Sequence, residues 1–115
     1  MKKVVLFAFN GEFMCFIHVL LNALDMHERG YEVKIVIEGS ATGLVPQLTH
    51  KGNPMSRLYE KAKALGLIDG ACKACSGKTG MVEAVRSQGI RLLDDMGGHP
   101  SMARYREDGF EVLTF

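Results

Sequence analysis

Three features that mark large classes of protein are missing from this sequence. The 14 Lys and Arg residues nearly balance the 13 Asp and Glu residues, and a net charge of +1 gives no field that attracts nucleic acid or an anionic membrane. No apolar run reaches the roughly 18 residues that a membrane-spanning helix needs. The apolar start, Met1–Phe9, is short and runs into Asn10-Gly11-Glu12 without a cleavage pattern. We therefore expect neither a nucleic-acid nor a membrane partner and interpret the first residues as a buried strand.

Cysteine is scarce, and repeats and linkers are absent. Three cysteines are an odd number for a secreted disulfide framework, so reduced thiols in a cytoplasmic protein fit better. The 115 residues contain no internal repeat, low-complexity tract or interdomain linker. Hydrophobic residues make up 47%, which favours a packed globule over disorder. We expect one domain, residues 1–115.

Strand-like and helix-like segments alternate along the chain. Apolar runs predict strands, and apolar residues at helical spacing, ended by glycines, predict helices. This alternation predicts an α/β fold: a three-layer α/β/α sandwich around a five-stranded, mainly parallel sheet. The predicted strands are Lys3–Phe9, Tyr31–Glu38, Leu67–Ala71, Ile90–Leu93 and Phe110–Phe115. Helical patterns lie between them, at residues 13–29, 44–48, 54–65, 81–87 and 99–108.

Ligands of open parallel sheets gather beyond the carboxyl ends of the strands. The loops predicted at that edge are Asn10–Glu12, Glu38–Gly43, Cys72–Thr79 and Asp94–His99. Their glycines would let backbone N–H groups approach a ligand, although tight strand-to-helix turns explain most of them. Of the histidines, only His99 stands in such a glycine loop, where either a ligand contact or a cap before Pro100 would suit it.

The stretch Gly70–Gly80 carries the main chemical signal, because it holds Cys72 and Cys75 beside Lys73 and Lys78. A thiol near lysines at a strand end can be shifted toward the reactive thiolate. A persulfide carrier needs such an accessible thiol, and Cys72 fits it, with both lysines stabilising the anion. The opposite interpretation is that Cys72 is a small buried hydrophobic residue closing the strand.

Three other chemistries compete for the same stretch. A thioredoxin-like Cys-x-x-Cys should open a long helix, which Ser76–Gly80 is expected to interrupt. Zinc needs about four ligands, and no second pair accompanies the cysteines unless folding brings in His50 or His99. Gly77-Lys78-Thr79 matches the end of a nucleotide-binding Walker A motif, but Cys72 replaces its first glycine.

The order of these features resembles the DsrE/DsrF-like superfamily of small sulfur-relay proteins, over nearly the whole chain. The likeness lies in the opening strand Lys3–Phe9, the long first helix, the strand and loop Val33–Gly43, the cysteine after the third strand and the closing Gly109–Phe115. It implies a flavodoxin-like three-layer fold, assembly into trimers or hexamers, and transport of sulfur as a cysteine persulfide between partner proteins. By position, Cys72 matches the active cysteine of the family, and Cys75 is the alternative. The second cysteine and Gly77–Gly80 depart from the relay subunits and are closer to the stand-alone branch.

Together these patterns predict a cytoplasmic homo-oligomeric sulfur-transfer or persulfide-binding protein without cofactor or metal, working with a sulfur donor or acceptor protein. Cys72 would carry the sulfur, and Cys75 would be the resolving or alternative thiol. The predicted pocket residues are Asn10, Ser40, Lys73, Ser76, Lys78 and His99. A small-molecule or nucleotide-binding module without turnover and a structural homo-oligomer are the alternatives.

Overall fold

The sheet of the computed structural model, which describes all 115 residues, has five strands that all run parallel. Their spatial order is β4-β3-β2-β1-β5. The strands are β1 Lys3–Ala8, β2 Glu32–Ile37, β3 Ile68–Cys72, β4 Leu92–Leu93 and β5 Glu111–Thr114. Helices on both faces complete a three-layer α/β/α sandwich, so the predicted fold class is confirmed.

Six α-helices connect the strands, and a 3₁₀ helix at Gly39–Leu44 follows β2. The first helix is by far the longest, with 16 residues, and its buried side chains recur at helical spacing. The helices are α1 Phe13–Glu28, α2 Val45–Leu48, α3 Ser56–Ala64, α4 Lys73–Thr79, α5 Val82–Ser87 and α6 Met102–Glu107. None of them has the length and apolar character needed to cross a membrane.

Two apolar cores of unequal size cover the two faces of the sheet. Side chains of α1, α2, α3 and α5 pack into the larger core, together with alternate residues of β1 and β2. The smaller core contains Val5, Phe7 and Val36 under Tyr105 of α6 and the neighbouring Phe110. Because β1 is covered on both faces, its residues form a continuous apolar run, as in other parallel sheets.

The strand order places the carboxyl ends of β2, β3 and β4 side by side at one edge of the sheet. The connections through α1, α3 and α5 step along the sheet in one direction, whereas the connection through α6 returns across it to β5. Since crossovers are right-handed, the chain leaves β3 and β4 toward opposite faces. The loops after β2, β3 and β4 nevertheless share the carboxyl edge of the sheet, the edge at which open α/β sheets bind ligands.

Several boundaries differ from the sequence-based expectation. Cys72 is the last residue of β3, and the residues after it form α4 rather than a loop, because Cys72 caps the helix start and Gly80 its end with φ 72°. The expected flexible loop after β2 is the 3₁₀ helix. The helix expected at Pro54 begins at Ser56, since the Asn53 side chain accepts the Met55 amide in a preceding turn.

Gly70 explains why β4 approaches β3 so closely. A Cβ atom at this position would lie 2.6 Å from the Leu93 side chain and 2.7 Å from the Arg91 carbonyl oxygen. Only glycine leaves room for this pairing, which aligns Cys72 with Leu93 and brings the loop after β4 toward the cysteines.

Candidate functional site

Four potentially reactive side chains meet at the carboxyl edge of the sheet. Glu38 follows β2, Cys72 ends β3, Cys75 lies in the first turn of α4, and His99 follows β4. One donor atom from each lies within 4.8 Å of the others, which is close enough to share a single ion. This cluster, which we name the Cys-His-Glu site, lies where β2, β3 and β4 end.

Cys72 is sealed at the bottom of this site. It is 0% exposed, and its Sγ accepts the Cys75 amide at 3.3 Å. Burial, followed by the hydrogen bond with the Cys75 thiol, raises the pKa of Cys72 to about 12. The expectation of an exposed Cys72 thiolate is therefore wrong, because desolvation outweighs the single amide donor.

Cys75 is the half-buried thiol of the site. Its Sγ lies 3.7 Å from Glu38 Oε1 and 3.8 Å from His99 Nδ1. Unlike Cys72, it combines access to solvent with two polar neighbours that can exchange a proton with a thiol. Of the two thiols at the site, Cys75 is therefore the one that meets the requirement for accessibility, and Cys72 is not.

His99 reaches the cysteines through a tight turn. Met96 and His99 exchange two backbone hydrogen bonds, and both residues between them have positive φ, 57° at Gly97 and 93° at Gly98. This pattern corresponds to a type I′ turn and accounts for the double glycine. The Ala74 amide donates to the Gly98 carbonyl at 2.9 Å and ties the turn to α4.

The loop after β4 contributes the His99 side chain to the site, and His99 does not cap α6. Its Nδ1 lies 3.2 Å from Cys72 Sγ, whereas the cap of α6 is Ser101, whose Oγ accepts the Arg104 amide. The predicted contact of His99 with the site is thereby found, and the alternative capping role belongs to Ser101.

Glu38 is the member of the site that the sequence analysis placed in a loop at this edge but did not include among the predicted pocket residues. Its side chain is only 9% exposed, and Oε1 lies 3.8 Å from His99 Nδ1. The available signal was its position directly after the buried run of β2, at the edge where ligands bind.

The two lysines predicted to stabilise a thiolate do not reach the sulfur atoms. Lys73 Nζ lies 3.5 Å from Asp94, and both groups are more than half exposed. Lys78 is exposed near the end of α4. The expected pocket of lysine cations is therefore wrong, because the helix that replaces the loop turns these side chains to solvent.

The other predicted pocket residues have structural contacts. Asn10 Oδ1 accepts the Glu12 amide at 2.9 Å, before α1 begins. Ser40 Oγ accepts the Gly11 amide at 3.0 Å and donates to the Phe9 carbonyl at 3.1 Å, which joins the loops after β1 and β2. Ser76 is fully buried in α4, and its Oγ has no hydrogen-bond partner.

Two of the competing chemistries look different in the folded chain. Gly77, Lys78 and Thr79 form the last turn of α4, and the Thr79 hydroxyl contacts Thr42 at 2.8 Å, so they make no open phosphate loop. The Cys-x-x-Cys does stand at a helix start, but that helix has only seven residues and ends at Gly80, so the long helix of a thioredoxin-like site is not present.

Comparison with known proteins identifies two archaeal relatives. No protein-family model matches the chain. It is 30% identical over 96 residues to the uncharacterized protein MJ0733 of Methanocaldococcus jannaschii, covering 84% of this chain and 76% of that protein. An uncharacterized protein of Archaeoglobus fulgidus is 41% identical over 59 residues, or 51% of this chain and 95% of the relative. The chain therefore belongs to the family of the uncharacterized archaeal protein MJ0733.

Proposed function

We propose that this protein accepts a sulfur atom as a persulfide on Cys75 and passes it to an acceptor thiol. The main observation in support is that Cys75 is a half-buried thiol whose Sγ lies within 3.8 Å of both an imidazole and a carboxylate. Cys72, the carrier favoured by the sequence, becomes the buried second thiol because none of its surface is exposed.

Sulfur loading is a transfer between two thiols. The Cys75 thiolate attacks the outer sulfur of a donor persulfide, R–S–SH, and a new S–S bond forms at Cys75. The donor S–S bond breaks, and its electron pair leaves with the donor as R–S⁻. No net oxidation occurs, so the step requires only a persulfide donor.

His99 and Glu38 serve this step by handling the proton of the Cys75 thiol. His99 Nδ1 accepts that proton from 3.8 Å, and the resulting imidazolium faces the Glu38 carboxylate at 3.8 Å. A thiol, an imidazole and a carboxylate in this order form the arrangement by which a neighbouring base activates a nucleophile.

Unloading follows one of two routes. An acceptor thiolate attacks the outer sulfur and leaves Cys75 as a thiolate, which completes the transfer. In the second route His99 Nδ1, 3.2 Å from Cys72 Sγ, takes the Cys72 proton as that sulfur attacks Cys75 Sγ, a Cys72–Cys75 disulfide forms, and HS⁻ departs with the electron pair. The second route consumes both thiols, so another cycle needs a thiol reductant.

The wider setting of this proposal follows the sulfur-relay superfamily that the sequence resembles. A cytoplasmic location suits thiols that must stay reduced. Assembly into a trimer or hexamer is supported by the exposed apolar side chains of α1, where Phe13 is 41%, Met14 74% and Leu21 45% exposed. A donor or acceptor protein would complete the relay.

Intact-mass analysis of the reduced protein after exposure to a small-molecule persulfide tests the proposal. We expect a gain equal to one sulfur atom, reversed by a thiol reductant. Cys75→Ser should abolish the gain, and Cys15→Ser, which removes a thiol of α1 outside the site, should retain it.

His99→Asn should slow loading without preventing it, since it removes the proton acceptor and leaves the nucleophile. A gain that persists in Cys75→Ser, or that disappears in Cys15→Ser, would overturn the assignment of the carrier. Loading of none of the three thiols would overturn the function itself.

A further inference from the structure

We propose that the Cys-His-Glu site is also a Zn²⁺ site, with Glu38, Cys72, Cys75 and His99 as its four ligands. The proposal depends on how the donor atoms are arranged, and it holds whether or not Cys75 carries sulfur. Sequence reasoning dismissed zinc because one Cys-x-x-Cys supplies only two ligands; folding supplies the other two from β2 and the loop after β4.

The distances between the donor atoms match the edges of a small tetrahedron. Zn–S bonds of about 2.3 Å and Zn–N or Zn–O bonds of about 2.0–2.1 Å imply ligand–ligand edges of roughly 3.3–3.8 Å. His99 Nδ1 lies 3.2 Å from Cys72 Sγ, 3.8 Å from Cys75 Sγ and 3.8 Å from Glu38 Oε1. Glu38 Oε1 lies 3.7 Å from Cys75 Sγ, and the remaining two edges are within 4.8 Å.

A single nitrogen faces three other donors, which is difficult to explain by hydrogen bonding alone. His99 Nδ1 carries at most one proton, so it can donate to only one of Cys72, Cys75 and Glu38 at a time. An ion among the four atoms would bind the Nδ1 lone pair and satisfy all four donors at once.

The ligand types select zinc over harder cations. Two sulfur atoms with one imidazole suit Zn²⁺, whereas Mg²⁺ and Ca²⁺ prefer oxygen donors. The two-residue spacing of the cysteines is common in zinc sites. In addition, the Cys75 amide already donates to Cys72 Sγ, a supporting hydrogen bond that would stabilise a metal-bound thiolate.

The charges around Glu38 also favour a bound cation. The Glu38 side chain is 9% exposed and has no lysine or arginine within ion-pair distance, while the nearby Lys73 is paired with Asp94. Buried carboxylates ordinarily pair with a cation or coordinate a metal. A divalent ion would offset two of the three negative charges that Glu38 and the two thiolates carry together.

Binding replaces two S–H bonds with two S–Zn bonds, releases two protons to solvent and transfers no electrons. Since the ion occupies the Cys75 sulfur, zinc and a persulfide cannot be held at the same time. This exclusion, unlike the metal site, rests on the proposed sulfur transfer, and it makes zinc an inhibitor of loading.

Titration of the reduced full-length chain with Co²⁺, followed by displacement with Zn²⁺, tests the site. We expect one Co²⁺ per chain, with intense visible bands of tetrahedral cobalt and a thiolate-to-cobalt charge-transfer band. Excess Mg²⁺ should change neither band. Zinc should also raise the melting temperature, because it binds the folded chain.

Matched variants locate the ligands. Cys75→Ser should weaken Co²⁺ binding by more than the roughly 10- to 100-fold cost of losing a supporting group. Glu38→Gln and His99→Asn should weaken it while the chain stays folded by circular dichroism, which covers the case in which Cys72→Ser fails to fold. Cys15→Ser and His50→Ala, which change the same residue types outside the site, should bind normally.

Absence of tetrahedral bands, or bands that survive Cys75→Ser and His99→Asn, would overturn the zinc site. Mass analysis in the presence of a chelator measures sulfur loading separately, so each proposal can fail while the other stands. Equal loading with and without stoichiometric Zn²⁺ would overturn the exclusion.

Discussion

Two largely buried carboxylates lie near neighbouring strands, and they differ in their partners. The side chain of Asp69 in β3 is 11% exposed, and that of Glu38 after β2 is 9% exposed. Asp69 accepts the Tyr105 hydroxyl and pairs with Arg91 at 3.1 Å and Lys34 at 3.7 Å. Glu38 faces two thiols and a histidine but no lysine or arginine.

The difference separates a carboxylate that supports the fold from one that is available for chemistry. Asp69 connects β3 to α6, and cationic side chains compensate its charge. Its interactions therefore stabilise the fold. Burial, followed by the hydrogen bond to Asp69, raises the pKa of Tyr105, which keeps that hydroxyl a donor. Glu38 has no such compensating lysine or arginine, so its carboxylate remains available to bind an ion or to accept a hydrogen bond.

Matched amide substitutions should produce the largest contrast. Asp69→Asn should lower the free energy of unfolding by about 2 kcal/mol, because it removes the charge that Lys34 and Arg91 face. Glu38→Gln should change it by less than about 1 kcal/mol, because no cation is left unpaired. Urea unfolding of both variants measures the contrast, and similar losses would remove the distinction between the two carboxylates.

The two cysteines beside Glu38 should also differ from each other in their reactivity toward alkylating reagents. We expect Cys72 to react with iodoacetamide at least about tenfold more slowly than Cys75 at neutral pH, because it is buried and its pKa is raised to about 12. Peptide mapping after timed alkylation gives both rates. In urea the two rates should converge; a faster reaction of Cys72 in the folded protein would restore it as the carrier.

The turn that carries His99 should be sensitive to one methyl group. Gly98→Ala should destabilise the fold by about 1 kcal/mol, because φ is 93° and the new Cβ would lie 3.3 Å from the Ala74 Cβ. It should also weaken metal binding, since His99 would move. Gly43→Ala is the control, because its φ is not positive and nothing lies within 4 Å. Thermal melts that rank Gly43→Ala as the more damaging change would contradict this account.

A third carboxylate, Asp95, should show the smallest effect. Burial is the largest single cause and raises its pKa, but the 2.7 Å hydrogen bond from Arg104, the Arg104 charge and two backbone hydrogen bonds together outweigh burial, so the net pKa is lowered. Stability from this pair is therefore present above the unfolded pKa of about 3.9 and is lost as pH falls through the lower folded pKa.

Asp95→Asn should thus cost less than about 1 kcal/mol at pH 7, since both partners are partly exposed, and the difference should shrink toward about pH 3. Denaturation at the two pH values measures it. A difference that grows on acidification would have the wrong sign for a lowered pKa.

The local pattern of the chain was enough to predict the α/β class and the edge of the sheet where the site lies. Apolar runs such as Val4–Ala8 report burial on both faces, and terminal glycines mark where helices end, because both depend on residues near in sequence. The same locality placed Cys72, Cys75 and His99 at that edge.

The tertiary structure alone decided which groups meet and which thiol is open. Strand order, set by packing and crossover direction, brings Glu38 and His99 to the cysteines, although neither is near them in sequence. Burial of Cys72 and exposure of the lysines follow from helix α4, whose start and end depend on a strand–helix junction that periodicity does not resolve. Desolvation and donor geometry depend on contacts between segments that are distant in sequence. They are therefore determined by the folded chain and not by local sequence patterns.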